Sequence, residues 1–341
     1  MPLIESAIQL VENTPLPDPI LRLGIQCLVG RTRRHLLARG KGAERDFAEA
    51  MSARAIAEYT AQANEQHYEL PPAFFEATLG PVRKYSCCYY ETGRETLAEA
   101  EQAALARTVA NAGLDDGQRI LELGCGWGSL SLYMARHFPR AHIVAVSNSA
   151  SQKRFIDGMA ARLGLDNLTV VTADMNTYAP EGQFDRIVSV EMFEHMANWR
   201  GLLARIRGWL APKGRLFVHV FTHHSQPYRF DPADKADWIA QHFFTGGIMP
   251  SHGLIAQFPD LFAVEAEWRW DGTHYRRTAD HWLENYDRNR VAIGALLRDV
   301  YGADAGVWQR RWRLFYLATA GLFGHHDGSE WGVSHYRLRA S

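Results

Sequence analysis

The chain has few cysteines, no long apolar run and almost no net charge. Its 341 residues contain four cysteines, Cys27, Cys87, Cys88 and Cys125. They are too scattered for a disulfide scaffold and lack the paired spacing of metal ligands, so no metal is expected. Thirty-seven lysines and arginines against 38 aspartates and glutamates leave a formal charge of −1. That balance gives no electrostatic footprint for nucleic acid. The densest basic cluster, Arg31 to Arg34, runs into Leu36 and Leu37 and reads as one face of an amphipathic helix. Leu314 to Phe323, the longest greasy stretch, follows Arg311 and Arg313 and is too short to span a bilayer. Met1-Pro-Leu-Ile-Glu5 lacks a basic region followed by an apolar core, so no secretory signal is read there. The expectation is a cytoplasmic, reduced protein without stable membrane insertion, internal repeats or low-complexity segments.

An apolar share of 47% with 22% charged residues is enough for a substantial core. The organising stretch is Arg119-Ile-Leu-Glu-Leu-Gly-Cys-Gly-Trp-Gly128, a short apolar run ending in Gly124, Gly126 and Gly128. A helical pattern with Leu130, Leu132, Tyr133 and Met134 follows. Strand, glycine turn and helix begin a doubly wound sheet that holds a nucleotide-like ligand. The spacing is G-x-G-x-G rather than the dinucleotide G-x-G-x-x-G. The second run, His142 to Val146, ends in Ser147-Asn148-Ser149 with Gln152 beyond. The acid that usually holds a ribose diol there is missing, and neutral amides take its place. A third run, Leu168 to Thr172, ends in Asp174-Met175, an acceptor for an adenine amino group beside a side chain able to cover the ring. The fourth, Arg186 to Val190, runs into Glu191-Met-Phe-Glu-His195. All four candidates fall at carboxyl ends of successive strands, where open α/β sheets bind ligands.

Residues before about 70 read as helices, Ile20–Leu37 and Phe47–Ala63, forming either a cap over the cleft or a packing arm. A helix over Leu97–Gly113 precedes the sheet. Trp199–Leu210 is helical, stopped by Pro212 and Gly214, and Arg215–Phe221 is strand five. Residues 222–262 interrupt the alternation with an aromatic, glycine-bearing lid. Phe262–Trp268 reads as strand six, Thr278–Tyr301 and Ala305–Leu322 as long helices, and Ser334–Leu338 as strand seven.

ELGCGWGSLSLYMA, VSNSASQKRFID, ADMNTY, VEMFEHMANW and FFTGGIMPS together resemble the coclaurine N-methyltransferase group of S-adenosylmethionine enzymes, which is related to the cyclopropane fatty acid synthases. Lys84 to Tyr89 and Trp312 to Trp331 are similar to the family's flanking segments, so the resemblance runs from about Gln66 onward. It implies a class I methyltransferase (Rossmann-like) α/β fold with a seven-stranded mixed sheet. The pattern along the chain is read as a helical cap over residues 1–75 and a methyltransferase domain over 76–341, with lid insertions at about 222–262 and 275–325. S-adenosylmethionine is the implied cofactor. Glu122, Gly124, Gly126, Gly128, Asn148, Gln152, Asp174 and Met175 would hold it, covered by Tyr85 and Ser86.

A protonated amine has no lone pair, so a base must take its proton; Glu191, Glu194 and His195 fill that role by resemblance. Capping of a helix start by the two acids is the alternative. The group differs from the inverted zinc motif H-x-x-E-H at its first position. Tyr89, Phe243, Phe244 and Trp331 would line the substrate pocket, although each is also a common core residue. In the cyclopropane synthases a Cys, a Glu and a His hold a bicarbonate base, and Cys87, Glu194 and His219 match those places. Position 191 departs, with Glu where a small residue is usual. Cys87 and His219 serve either there or as packing. The expected acceptor is a small amine, with methylene or methyl transfer to an unsaturated lipid acyl chain as the alternative and a non-catalytic cofactor-binding subunit as a third. A homodimer is admitted.

Overall fold

The computed structural model describes residues 2–40, 42–59, 70–235 and 237–341. The first strands form as their apolar runs dictate. They are β1 (Arg119–Leu123), β2 (His142–Ser147), β3 (Leu168–Thr172), β4 (Phe184–Val190) and β5 (Leu210–His223). All pair in parallel in the order β3-β2-β1-β4-β5. Such strands are covered on both faces and therefore read as unbroken apolar segments. Two more strands, β8 (Phe262–Asp271) and β9 (Trp331–Ala340), complete a seven-stranded mixed sheet. β9 does not close the edge; it inserts antiparallel between β5 and β8. A two-stranded ribbon, β6 (Tyr228–Arg229) and β7 (Ile248–Met249), lies apart from it.

Helices are numbered in chain order: α1 (Pro2–Asn13), α2 (Asp18–Leu37), α3 (Ala43–Met51), α4 (Pro72–Thr78) and α5 (Leu97–Ala112) precede the sheet. Next come α6 (Ser129–His137), α7 (Ala150–Leu163), α8 (Trp199–Trp209) and α9 (Trp238–His242). The last three are α10 (Gly272–Arg288), α11 (Arg290–Tyr301) and α12 (Ala305–Phe323). Local chemistry sets several boundaries. Thr96 and Glu99 form a reciprocal capping box at the start of α5, and Gly113 ends it in the left-handed conformation. Ser149 accepts from the Gln152 amide to start α7.

Two helices depart from the expectation. The helix expected over Phe47–Ala63 ends at Met51, and residues 60–63 lie outside the described residues, as does Gln66. Beyond Met51 the backbone is drawn into tertiary pairing: Ile56 O accepts from Ala197 N at 2.7 Å, and Ala57 bridges Met196. The helix expected over Thr278–Tyr301 begins earlier, capped by Asp271, and breaks at Asn289. There the Asn289 amide donates to Ala77 O at 2.8 Å. The 222–262 insertion is densely packed, burying Phe230, Trp238, Phe243, Ile248, Leu254 and Phe258.

The amino-terminal helices lie against α10 and α12 through charge pairs. Arg313 donates bidentately to Asp18 (2.6 and 2.9 Å) and to Asp287 (2.8 and 2.8 Å). Arg311 holds Glu12, and Arg22 pairs with Asp280. No described helix is long and apolar enough to cross a membrane. The Arg313 guanidinium, first among its causes, holds the Asp18 carboxyl below its usual value, so this stabilisation is present above the unfolded carboxylate pKa. It is lost as pH falls through the lower folded value. Arg313→Met is expected to cost about 1–2 kcal/mol in urea unfolding at neutral pH, since the fork is bidentate yet partly exposed. The gap from wild type should narrow as pH drops below about 4.

Candidate active site

The carboxyl ends of the parallel strands form one rim. At the end of β1 the Gly124 and Cys125 amides both donate to Val146 O at 2.9 Å, tying the turn to β2. Gly124 has φ +79°, and a Cβ there would lie 2.6 Å from Met192 Cβ. Gly126 (φ +53°) faces open space within 4 Å of its absent Cβ, which leaves its backbone approachable by a ligand. Trp127 and Gly128 lead into α6. Glu122 is buried and bonds the Ser131 hydroxyl at 2.5 Å, with burial pushing its carboxyl up to about 8. It locks β1 to α6.

Along the rim Asn148 is exposed at the end of β2. Gln152 is buried; its Oε1 accepts from Ser147 Oγ at 2.6 Å, and its Nε2 has no partner among the described residues. That orphan donor is the feature a ribose hydroxyl would satisfy. At the end of β3 one Asp174 oxygen accepts from the Asn176 amide at 2.7 Å, and Met175 is buried beside it. Tyr85 packs on Phe75 and Trp282 (ring centroids 5.4 and 5.6 Å). The Ser86 hydroxyl is bonded by the buried Lys84 ammonium at 2.5 Å.

The end of β4 carries the densest chemistry. Glu191 adopts φ +48°, a left-handed conformation that a Cβ-bearing residue rarely takes. Its Oε1 accepts from Cys87 N (2.9 Å) and His219 Nε2 (3.2 Å), and its Oε2 accepts from Tyr275 OH (2.7 Å). Burial raises the Glu191 carboxyl, opposed by the Lys84 charge and then by the Cys87 and Tyr275 donors. Glu194, 1% exposed, is raised well above its usual range by burial and then by the Glu191 charge; its Oε2 has no partner among the described residues. Both carboxyls are thus raised, Glu194 the further, because Lys84 opposes the effect of burial only at Glu191 while the Glu191 charge adds to it at Glu194. His219 is kept neutral, its pKa driven far down by burial and by Lys84. The Cys87 thiol is pushed well up by burial and Glu191, and its Sγ contacts Cys88 O.

His195 stacks face to face on Phe244 at 4.9 Å, and Phe244 also meets Phe221 and Phe230. The other aromatic candidates lie elsewhere. Phe243 is fully buried and stacks on Phe315. Tyr89 packs between His274, Trp270 and Arg107. Trp331 is fully buried, its indole donating to Tyr228 OH at 3.2 Å. Two contributors, Lys84 and Tyr275, were not singled out from the sequence. Tyr275 lies 84 positions from its partner, and no local spacing marks it. Lys84 was visible only as the neighbour of Tyr85 and Ser86.

Among the described residues one group, His223, His224 and Glu330, lies close enough to share a metal ion. His223 Nδ1 accepts from the Ser225 and Gln226 amides (3.2 and 2.9 Å), however, so in the neutral ring Nε2 carries the proton. Glu330 is already paired with Arg33. The donor set suits a charge cluster rather than a cation.

A glycine-turned β1 end, neutral amides after β2 and an Asp-Met pair after β3 suit an adenosine with a charged amino-acid tail. The rim on this sheet defines an S-adenosylmethionine-dependent methyltransferase. The chain belongs to the mycolic acid cyclopropane synthetase family, which it matches over residues 57–326. It is 37% identical to an (S)-coclaurine N-methyltransferase of Thalictrum flavum subsp. glaucum, over 80% of this chain and 77% of that one. It is 31% identical to the cyclopropane-fatty-acyl-phospholipid synthase of Escherichia coli K12, over 79% and 66%. The crystal structure of a coclaurine N-methyltransferase bound to N-methylheliamine and SAH superposes with a TM-score of 0.94. It is 31% identical and covers 98% of this chain and 99% of that one.

Gly126→Ala is expected to weaken S-adenosylhomocysteine binding at least about tenfold by calorimetry, since the Cβ enters the ligand's approach at positive φ. The ligand should raise the melting temperature of the wild type by mass action, and NAD should not.

Proposed function

We propose that the chain transfers a methyl group from S-adenosylmethionine to the nitrogen of a small amine, of benzylisoquinoline type or a similar alkylamine. The observation that carries this reading is the Glu191 carboxylate. Three donors, Cys87 N–H, His219 Nε2–H and Tyr275 OH, converge on it. By resemblance, Cys87, Glu194 and His219 match the places of the Cys, Glu and His that hold a bicarbonate in the lipid-modifying synthases, and two of these residues, Cys87 through its amide and His219, donate to Glu191 in this chain. Here the side chain of Glu191 takes up those two donors itself, standing where a free anion would need them. The names of the relatives are consistent with this acceptor. Several methylate nitrogen, among them pavine and (S)-tetrahydroprotoberberine N-methyltransferases at 30% and 31% identity.

When bound, the cofactor supplies a sulfonium-borne methyl group that a neutral amine nitrogen attacks in line. The chain's own residues prepare that nitrogen. Ionised Glu191 attracts the ammonium, and protonated Glu194 beside it avoids a second buried negative charge. His195 takes the ammonium proton, freeing the lone pair for the new N–C bond. Phe244, stacked on His195, and its neighbours Phe221 and Phe230 give an apolar wall whose ring faces attract a cation by ~0.5–2 kcal/mol each. Orientation and proton removal carry the rate.

Glu191→Gln should lower kcat/KM by about 10²–10⁴ with amine substrates, as the ammonium loses its counter-ion. Cys87→Ala, which keeps the backbone donor, should stay within about threefold. Bicarbonate depletion should change nothing. A bicarbonate requirement with turnover of unsaturated phospholipid vesicles, and none of amines, would favour the lipid acceptor instead.

A second expectation concerns pH. The rate should climb as His195 loses its proton, with a further rise toward the amine's own pKa of ~10, where the free base accumulates. His195→Ala should remove the lower rise, recover in part at high pH, and leave S-adenosylhomocysteine affinity unchanged. A mutant that keeps the wild-type profile would assign His195 to packing.

A further inference from the structure

His219 and His335 stand directly opposite each other on β5 and β9, so both rings rise from one face of the sheet. Each is fully buried, and their centroids are 4.5 Å apart. His219 Nε2 meets Glu191 Oε1 at 3.2 Å, and His335 Nδ1 meets Asn111 Nδ2 at 3.0 Å. The remaining nitrogens, His219 Nδ1 and His335 Nε2, have no partner among the described residues.

Their chemistry is complementary. A neutral imidazole has one N–H and one bare nitrogen. His219 faces a carboxylate with Nε2, so the proton is there and Nδ1 is an acceptor. His335 receives an amide N–H at Nδ1, so its proton is on Nε2, a donor. The orphans are therefore a donor and an acceptor on neighbouring rings. The imidazole χ2 torsion is soft, and rotation about it is the movement that would bring the two nitrogens together. The opposite amide orientation at Asn111 would put the His335 proton on Nδ1 and leave two bare nitrogens facing each other.

We propose that Asn111, His335 and His219 form one directional hydrogen-bond chain that ends on Glu191 and holds its carboxylate ionised and aimed for the amine. The inference rests on the role given to Glu191 under Proposed function. His335 and Asn111 are positioning residues; they touch neither cofactor nor acceptor. Every link donates toward Glu191: amide to His335, His335 to His219, His219 to carboxylate. The chain thus delivers donors to the acid without burying a second cation beside Lys84. Burial, with His219 and Lys84 adding to it, keeps His335 far below its usual pKa. The other groups facing Glu191 are Lys84, Cys87, Tyr275 and Glu194. Those facing the imidazole pair are Trp270, at 5.4 Å from His219 and 4.3 Å from His335, and Phe217. Neither adds charge.

The test has a structural and a kinetic arm. Nitrogen-15 spectra of histidine-labelled wild type with S-adenosylhomocysteine should show both rings neutral from pH 6 to 9, protonated at Nε2, with the His219 Nδ1 resonance at a hydrogen-bonded position. A proton on His219 Nδ1, or an unbonded Nδ1, overturns the chain whatever the acceptor proves to be. In the kinetic arm His335→Phe fills the volume but cannot donate. It should lower kcat about tenfold and move up by about one pH unit the limb of the kcat/KM profile that reports Glu191 ionisation, told apart from the His195 limb because it persists in His195→Ala, with cofactor affinity retained. His335→Gln can accept from Asn111 and donate to His219 with the same polarity, so it should stay within about threefold of wild type with the limb in place. Asn111→Leu should follow His335→Phe more weakly. An unmoved limb in His335→Phe, or equal damage in Phe and Gln variants, overturns the proposal.

Discussion

A buried carboxylate must be met by donors or it will not stay ionised, and Glu191 is the place where this constraint gathers the molecule. Its three donors come from parts of the chain with no sequence proximity: Cys87 from the segment before α5, His219 from β5 and Tyr275 from α10. Holding one acid therefore fixes the pre-sheet segment and the α10 insertion relative to the rim. The backbone takes its share. Glu191 sits at φ +48°, and its amide donates to His219 O at 2.8 Å. A left-handed residue with a Cβ costs on the order of 1–3 kcal/mol unless its surroundings over-determine it. Here the strand end and three side-chain contacts do so.

The electrostatic division of labour follows from the same packing. Two neighbouring carboxyl groups cannot both ionise away from water. What sets them apart is Lys84, which is 1% exposed and bonds Ser86 Oγ and Cys87 O. Its charge opposes the effect of burial at Glu191, whereas Glu194 gains no such partner and feels Glu191 as a further penalty. The segment that brings Lys84 is anchored in turn by Glu101, whose carboxylate accepts from the Val82 and Lys84 amides at 3.1 Å each. That acid stands on α5, a helix expected from the sequence over Leu97–Gly113.

The sheet core was legible because parallel strands, covered on both faces, leave continuous apolar runs, and each run ended in the residues that form the rim. The glycine turn and the Glu191–His195 cluster stood out for that reason. What was not legible depends on non-sequential pairing. β9 inserts between β5 and β8, and only that register sets His335 beside His219. Tyr275 and Lys84 carry no local spacing that announces a carboxylate partner. The early end at Met51 and the break at Asn289 are cases of tertiary hydrogen bonding overriding helical propensity. The aromatic insertion signalled a pocket by composition, yet Phe243 and Trp331 are packed among other rings. Composition marks where aromatic surface collects and does not say which faces stay open.

On the proposed reading, position 191 decides how the site obtains its negative charge. A side-chain carboxylate attached to the strand end is present at a high effective concentration in every molecule, whereas a dissolved anion must bind and be held. The attached group also has less freedom. Its oxygens are committed to Cys87, His219 and Tyr275, so it acts best as a fixed negative charge. Such a charge suits an acceptor that arrives as a cation and brings its own proton to be removed. An uncharged alkene offers it nothing to attract. The proton must then pass to a group that can take it up near neutral pH and give it to solvent. On the proposed reading that group is His195, which is only partly buried and stacks on the half-buried Phe244.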